Sequence, residues 1–196
     1  RGTLTASNCR FTDNDAVGSG GGLYSYSTIL LTDCVFSDNS SRAKGGGLYS
    51  SSAISLTDCV FSGNSSGEDG GGGYAYMKLT SARCAFSGNS ARNGGGIGTW
   101  DNVDLTDCTV EGNTATEFGG GVWQYTSIYK LTATRCLVRG NSAKIDGGGF
   151  HFPEMDVCGS LFEKNTAGRM RIKLQDLGCH LPLSKVTECR IGVRLE

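Results

Sequence analysis

Nine cysteines are the residues with the most reactive chemistry to offer, and seven recur at near-constant intervals: Cys9, Cys34, Cys59, Cys84, Cys108, Cys136 and Cys158. Zinc and dithiol redox sites need cysteines only a few residues apart. The closest pair in the chain, Cys179 and Cys189, is ten residues apart. Only two histidines occur, His151 and His180. The segment Gly63-Asn64-Ser65-Ser66-Gly67 satisfies G-x-S-x-G, but a nucleophile elbow needs a strand turning into a helix, and no helical pattern follows. Neither a P-loop nor a G-x-G-x-x-G with its helix is present. Asp33 with Asp58, and Asp13 with Asp38, are like charges one interval apart. A Ca²⁺ between them would find two carboxylates where it takes about six to eight oxygens. No catalytic residue, metal ligand or cofactor is assigned on this basis.

Aromatic residues carry a clearer signal. All 7 Tyr and both Trp fall within eight residues after a glycine triplet, and they sort into two columns. Two residues past the last Gly stand Tyr24, Tyr49, Tyr74, Gly98, Trp123 and His151; four past it stand Tyr26, Ser51, Tyr76, Trp100, Tyr125 and Pro153. Residues two apart share one face of a strand, so the intervening Leu23, Leu48, Ile97, Val122 and Phe150 take the other. Aliphatic-inward, aromatic-outward parity is favoured, although the next inward position then holds Ser25, Ser50, Ala75 and Thr99. Two readings stand: aromatics placed there because they suit strands, or a stripe on which the sugar rings of a polysaccharide stack. The second makes Tyr24, Tyr26, Tyr49, Tyr74, Tyr76, Trp100, Trp123 and Tyr125 the candidate ligand-binding residues.

The elements that position these columns follow from a repeat. Asn14, Asn39, Asn64, Asn89, Asn113, Asn141 and Asn165 are spaced by 25, 25, 25, 24, 28 and 24 residues. After each of the first six comes a glycine triplet, ending at Gly22, Gly47, Gly72, Gly96, Gly121 or Gly149; Gly73 is an extra in a slot that is Leu23 and Leu48 elsewhere. That explains 31 Gly in 196 residues. A period near 25 with no helical periodicity excludes helical solenoids, whose repeats are about 33 to 47 residues. Runs such as GLYSY, TILLT and CVFS read as three short strands per repeat. Stacked in register about 4.8 Å apart, seven such rungs form an all-β, right-handed parallel β-helix over residues 1–167. Leu79 to Cys84 and Leu131 to Cys136, two residues longer than Leu31 to Cys34, read as insertions at a turn.

Stacking turns each position into a column. The Asn column reads as an amide ladder in a turn, which discounts the sequons at Asn39 and Asn64. Stacked Cys side chains run side by side and suit the roughly 90° disulfide dihedral poorly. Cys34, Cys59, Cys84 and Cys108 are therefore expected to be buried, unbridged thiols beside Phe11, Phe36, Phe61 and Phe86. Residues preceding the Cys, Asn8, Asp33, Asp58, Arg83, Asp107, Arg135 and Val157, read as outward charges pairing up the stack. Thr5, Thr32, Thr57, Thr80, Thr106 and Thr132 align after a recurrent Leu at strand ends.

The paired signals FSDN with GGGL and FSGN with GGGY resemble the FxxN and GGxx repeats of chlamydial polymorphic outer-membrane proteins and related surface proteins, over residues 1–167. The resemblance implies a β-helix of pectin-lyase-like shape and an adhesin or surface-display role. Gly replaces the family's common Ala after the double Gly, and no membrane barrel is present in the chain.

Eighteen basic and nineteen acidic residues give a net charge of -1 without a run of like charge, which names no nucleic-acid partner. No stretch reaches the roughly 18 apolar residues of a membrane span. The chain reads as a fragment of a longer solenoid whose partners are neighbouring rungs and, on the aromatic stripe, a polysaccharide or cell-surface glycan. A non-catalytic module for adhesion, display or scaffolding, at the cell surface or outside the cell, is the expected function. The alternative is a polysaccharide lyase or glycoside hydrolase of the same shape. Residues 168–196, with Cys179, Cys189 and Pro182, break the pattern; a cap over the open end and a segment that never joins the stack remain the two options.

Overall fold

A computed structural model describes residues 2–126 and 128–169, and among them every strand pairs in parallel with its equivalent one repeat away. The second rung runs through Thr28–Thr32, Val35–Ser37, Ser40–Ser41 and Leu48–Ser50, which we assign to sheets A, B, C and D. Sheets A, B and C have seven strands and D has six. The β-helix of about seven rungs is thus the observed fold. Each of the first six rungs has four strands rather than three: the C strand, two residues long at Ser40–Ser41, is too short to show an alternation in sequence.

Alternation fixes which side chains enter the core. Ile29 and Leu31 point inward from sheet A and are buried, while Leu30 between them is exposed. Sheet B contributes a ring stack: Phe61 lies 4.7 Å from Phe36 and 5.0 Å from Phe86, tilted by 4° and 8°. Such pairs add about 0.5–1.5 kcal/mol each beyond simple burial. Sheet D contributes Leu48, Ile97, Val122 and Phe150. Gly73 does occupy the Leu slot, pairing with Leu48 on one side and Ile97 on the other.

Three corners per rung need left-handed backbone. Asp33, Asp58, Arg83, Asp107 and Arg135 adopt φ of 52 to 54° before the Cys, and Asp13, Asp38 and Lys164 adopt 54 to 56° before the Asn. Asp and Asn tolerate this region best among residues with a Cβ. The column read as outward charges is therefore first a column of corner residues. At the third corner Gly45 has φ 68°, and a Cβ on the following Gly46 would stand 2.3 Å from Ser65 O of the next rung. Only glycine lets the backbones approach so closely.

The Asn column is a complete ladder. Asn64 accepts at Oδ1 from Asn39 N (3.1 Å) and Asn39 Nδ2 (2.9 Å). It donates through Nδ2 to Asn89 Oδ1 and Phe36 O, both at 2.9 Å. Equivalent side-chain links join Asn14 to Asn39 and run on to Asn165. Asn39 and Asn64 are fully buried, as the discounting of their sequons requires.

Three register readings are corrected. Cys158 pairs with Thr134 on sheet A, and Ser160 takes the Cys slot, its Oγ accepting from Cys136 N at 2.9 Å. Gly159 supplies the left-handed corner in place of Val157. Leu79 pairs with Ile54 and Leu131 with Val103, so no insertion lies before Cys84 or Cys136; the sequence alignment had matched two different inward positions of one strand. For the same reason the Thr column divides: Thr80 and Thr132 share a position with Leu30 and Asp104, while Thr32, Thr57 and Thr106 share another with Ala82. The real insertions are one residue between Ala115 and Phe118, opposite Ala91 and Asn93, and the longer D-to-A corner after Gln124, where Gln124 pairs with Thr99 but the next inward pairing is Leu131 with Val103. The last C strand, Thr166–Arg169, carries the solenoid slightly past 167. Residues 170–196, including Cys179 and Cys189, lie outside the described residues.

Candidate functional site

The aromatic columns leave sheet D on the side away from the core. Leu48, Ile97 and Val122 belong to the core cluster, Leu23 packs against it, and the rings between them do not. The outward parity is correct, but outward does not mean accessible. Along the first column Tyr24 stacks on Tyr49 at 5.0 Å and Tyr49 on Tyr74 at 5.8 Å, with planes within 11°. In the second column Tyr76 stacks on Trp100 at 5.3 Å and Trp100 on Tyr125 at 4.1 Å, within 16°. Edge-to-face contacts tie the columns together, Tyr24 to Tyr26 at 4.9 Å and Trp123 to Tyr125 at 5.8 Å.

Tyr74 and Trp123 are corrected as ligand-binding candidates, being 0% and 7% exposed. The segment leading into the glycine triplet folds over the first column. Lys44 Nζ sits 4.6 Å from the Tyr74 ring centroid and within 3.4 Å of its hydroxyl. It pairs with Asp69 at 2.9 Å, and Asp69 also accepts from Asn93 Nδ2 at 3.0 Å. Burial pushes the Tyr74 phenol up, with the Asp69 charge adding to it. The Tyr24 phenol is pushed up to about 12, chiefly by its hydrogen bond with Tyr26. This buried network was missed in sequence because its column, Ser19, Lys44, Asp69, Asn93 and Phe118, changes type at every rung. A Lys and an Asp one repeat apart at the same position were the available clue.

The accessible surface is consequently the second column, with Tyr26 75%, Tyr76 47% and Tyr125 57% exposed, Trp100 between the last two, and Tyr24 and Tyr49 flanking. Because the rings face one another, they offer solvent their edges; faces are open only where a stack ends. His151 in the first column is half-buried against Phe118 at 5.0 Å, and burial lowers its pKa.

Charges elsewhere pair across adjacent rungs. Arg83 clasps Asp58 through two bonds of 2.8 and 2.7 Å, and Arg135 clasps Asp107 at 2.7 Å through both nitrogens. These hydrogen bonds hold both carboxyls below the usual range. Arg139 pairs with Glu111, Lys78 with Asp104, and Lys130 with Glu154 and Asp156. Asp58, half of one conceived Ca²⁺ pair, is thus engaged by a guanidinium.

The thiols behave as expected for a core column. Cys34, Cys59, Cys84, Cys108 and Cys136 are buried and unbridged. Each donates to the carbonyl two residues back, at 3.2 to 3.4 Å. Burial pushes the Cys34 thiol up.

A family model described as a right handed beta helix region matches residues 1–115. No curated protein and no solved structure matches the chain. Among the described residues no helix is long and apolar enough to cross a membrane.

Proposed function

The chain belongs to the right-handed beta helix family, and from that premise we propose that it is a non-catalytic module for adhesion, display or scaffolding, at a cell surface or outside the cell, that binds polysaccharide on its aromatic corner. The observation carrying this reading is the in-register run Tyr76, Trp100 and Tyr125, which lies outside the core and is exposed at both ends. Rings in a core stabilise the fold by burial; these stay half in water, and the ring face left open where the stack ends is a flat apolar surface with a hydroxyl at its edge, which suits a sugar ring. The paired FxxN and GGxx signals, similar to those of polymorphic outer-membrane proteins, support surface display.

Acid–base catalysis by a lyase or hydrolase needs carboxylates and bases converging on one cleft. The pairing of Arg83 with Asp58, Arg135 with Asp107 and Arg139 with Glu111 across adjacent rungs, which neutralises these charges, favours the non-catalytic reading over the enzymatic one. The test is affinity electrophoresis against soluble polysaccharides for the parent and for a Tyr26→Ala, Tyr76→Ala, Tyr125→Ala variant. Retardation of the parent that the variant loses is expected; equal mobility of the two would reject the aromatic corner as the binding surface.

A further inference from the structure

The second aromatic column has one missing ring. At Ser51, on the rung between Tyr26 and Tyr76, a hydroxymethyl group stands where the neighbouring rungs carry aromatics. The register is unbroken there: Ser51 N donates to Ser25 O at 3.0 Å and Tyr76 N to Ser50 O at 2.9 Å. The gap therefore reflects the side chain and not a bulge. Trp100 covers one face of Tyr76 at 5.3 Å. Among the described residues no ring stacks on the other face, which looks over Ser51 toward Tyr26.

Tyr26 and Tyr76 are two rungs apart, about 9.6 Å by the usual strand spacing. A six-membered ring midway would lie about 4.8 Å from the level of each rung, a spacing inside the roughly 4.5 to 7 Å at which aromatic rings pack on one another. Tyr49, half-buried, stands two residues before Ser51 on the same face of the strand, its ring held between Tyr24 at 5.0 Å and Tyr74 at 5.8 Å. The nine residues bordering it, Ser25 to Ser27, Ser50 to Ser52 and Ala75 to Met77, carry no charge. The nearest cations are already engaged, Lys44 by Asp69 and Lys78 by Asp104.

We propose that this gap is a slot for one neutral pyranose ring, with Tyr76 as the stacking platform, Tyr26 as the opposite wall and Ser51 with Tyr49 as the floor. The proposal rests on the glycan-binding reading and sharpens it: one ring seated at one rung, instead of many rings spread along a stripe. The two make opposite forecasts for a substitution that completes the column. Ser51→Tyr fills the slot but lengthens the stripe.

Calorimetric titration of the parent with cellohexaose, chitohexaose and xylohexaose, with hexagalacturonate as the charged comparison, separates them. Binding of at least one neutral hexaose is expected, weakened at least ten-fold by Ser51→Tyr and changed less than two-fold by Tyr125→Ala. Parent binding that Ser51→Tyr leaves equal or strengthens would overturn the slot while leaving the stripe intact. Preference for hexagalacturonate would overturn the neutral assignment, and no binding by the parent would overturn slot and stripe together. If Ser51→Tyr does not fold, Tyr26→Ala, at a 75% exposed position, substitutes for it with the same ten-fold loss expected.

Discussion

Tyr74 fills the space that a side chain at Gly98 would need: a Cβ built on Gly98 would stand 2.9 Å from Tyr74 Cδ2 and 2.8 Å from Gly70 N. The glycine that interrupts the first aromatic column is therefore the partner of the ring one rung away. Judged by its repeat, Gly98 should tolerate an aromatic; judged by its neighbours, it should not tolerate even a methyl group. Gly98→Ala is expected to destabilise the protein by about 1–3 kcal/mol, the usual cost of overpacking. Urea unfolding would show it as a lower midpoint, and an unchanged midpoint would mean that the Tyr74 ring moves aside freely.

Position along the ladder sets the cost of losing an asparagine. Asn64→Ala removes four side-chain hydrogen bonds inside the core. Each buried group left unpaired costs about 1–3 kcal/mol, so a loss of at least about 3 kcal/mol is expected. Asn14 is exposed, and its side chain donates one bond to Asn39; Asn14→Ala should cost under about 1.5 kcal/mol, the worth of one ordinary hydrogen bond. Similar losses for the two in chemical denaturation would contradict the ladder as a cooperative core element.

Two hydroxyls run the other way. Ser41 Oγ and Ser66 Oγ are buried without a hydrogen-bond partner, and the same inward column holds Ala91, Ala115 and Ala143 in later rungs. The double variant Ser41→Ala, Ser66→Ala should gain about 1–3 kcal/mol by removing those unsatisfied groups, or roughly 2–4 °C in Tm per kcal/mol for a chain of this size. A lower Tm in differential scanning calorimetry would show that the hydroxyls are bonded in solution.

What the sequence disclosed follows from which contacts repeat. Asn, Gly and Cys columns were legible because each stacks on its own kind, so the chemical demand is the same at every rung. The C strands were not, because the early ones, Ser40–Ser41 and Ser65–Ser66, are too short for a period to register and the later ones change length and shift register. Accessibility of the aromatics was not, because it depends on unlike neighbours: Lys44 and Asp69 over Tyr74, and Gly98 beside it. Ser160 in the Cys column escaped notice because Cys158, two residues earlier, offered a more familiar match.

The Arg83–Asp58 and Arg135–Asp107 clasps predict a pH signature. Their carboxyl pKa values are lowered in the folded state. Stability from a depressed carboxyl is present above its unfolded pKa of about 3.9 and lost as pH falls through the lower folded value. Asn keeps the tolerance for left-handed backbone that these corners need while removing the charge. The Tm difference between parent and Asp58→Asn, Asp107→Asn should thus exist at neutral pH, shrink in salt and close as pH falls below the carboxylate range. A difference that persists in acid would assign the effect to the corner and not to the ion pair.

The thiol column gives a measure of rung opening. Cys34, Cys59, Cys84, Cys108 and Cys136 are buried, whereas Cys9 is half-buried on the first rung. A disulfide reagent must reach the sulfur it attacks, and the five buried thiols are closed to it while their rungs stay stacked. In a Cys179→Ser, Cys189→Ser background, Cys9 should therefore react with a chromogenic disulfide in the native protein well before these five. The five should follow at the rate at which their rungs open, and that rate should rise with denaturant. Mass spectrometry of labelled peptides identifies which cysteine reacted and in what order. Full reaction of all five under denaturing, non-reducing conditions is expected, since none is bridged. Labelling of the five as fast as Cys9 in native buffer would mean that the rungs are not closed on one another, and the stacked core with them would have to be abandoned.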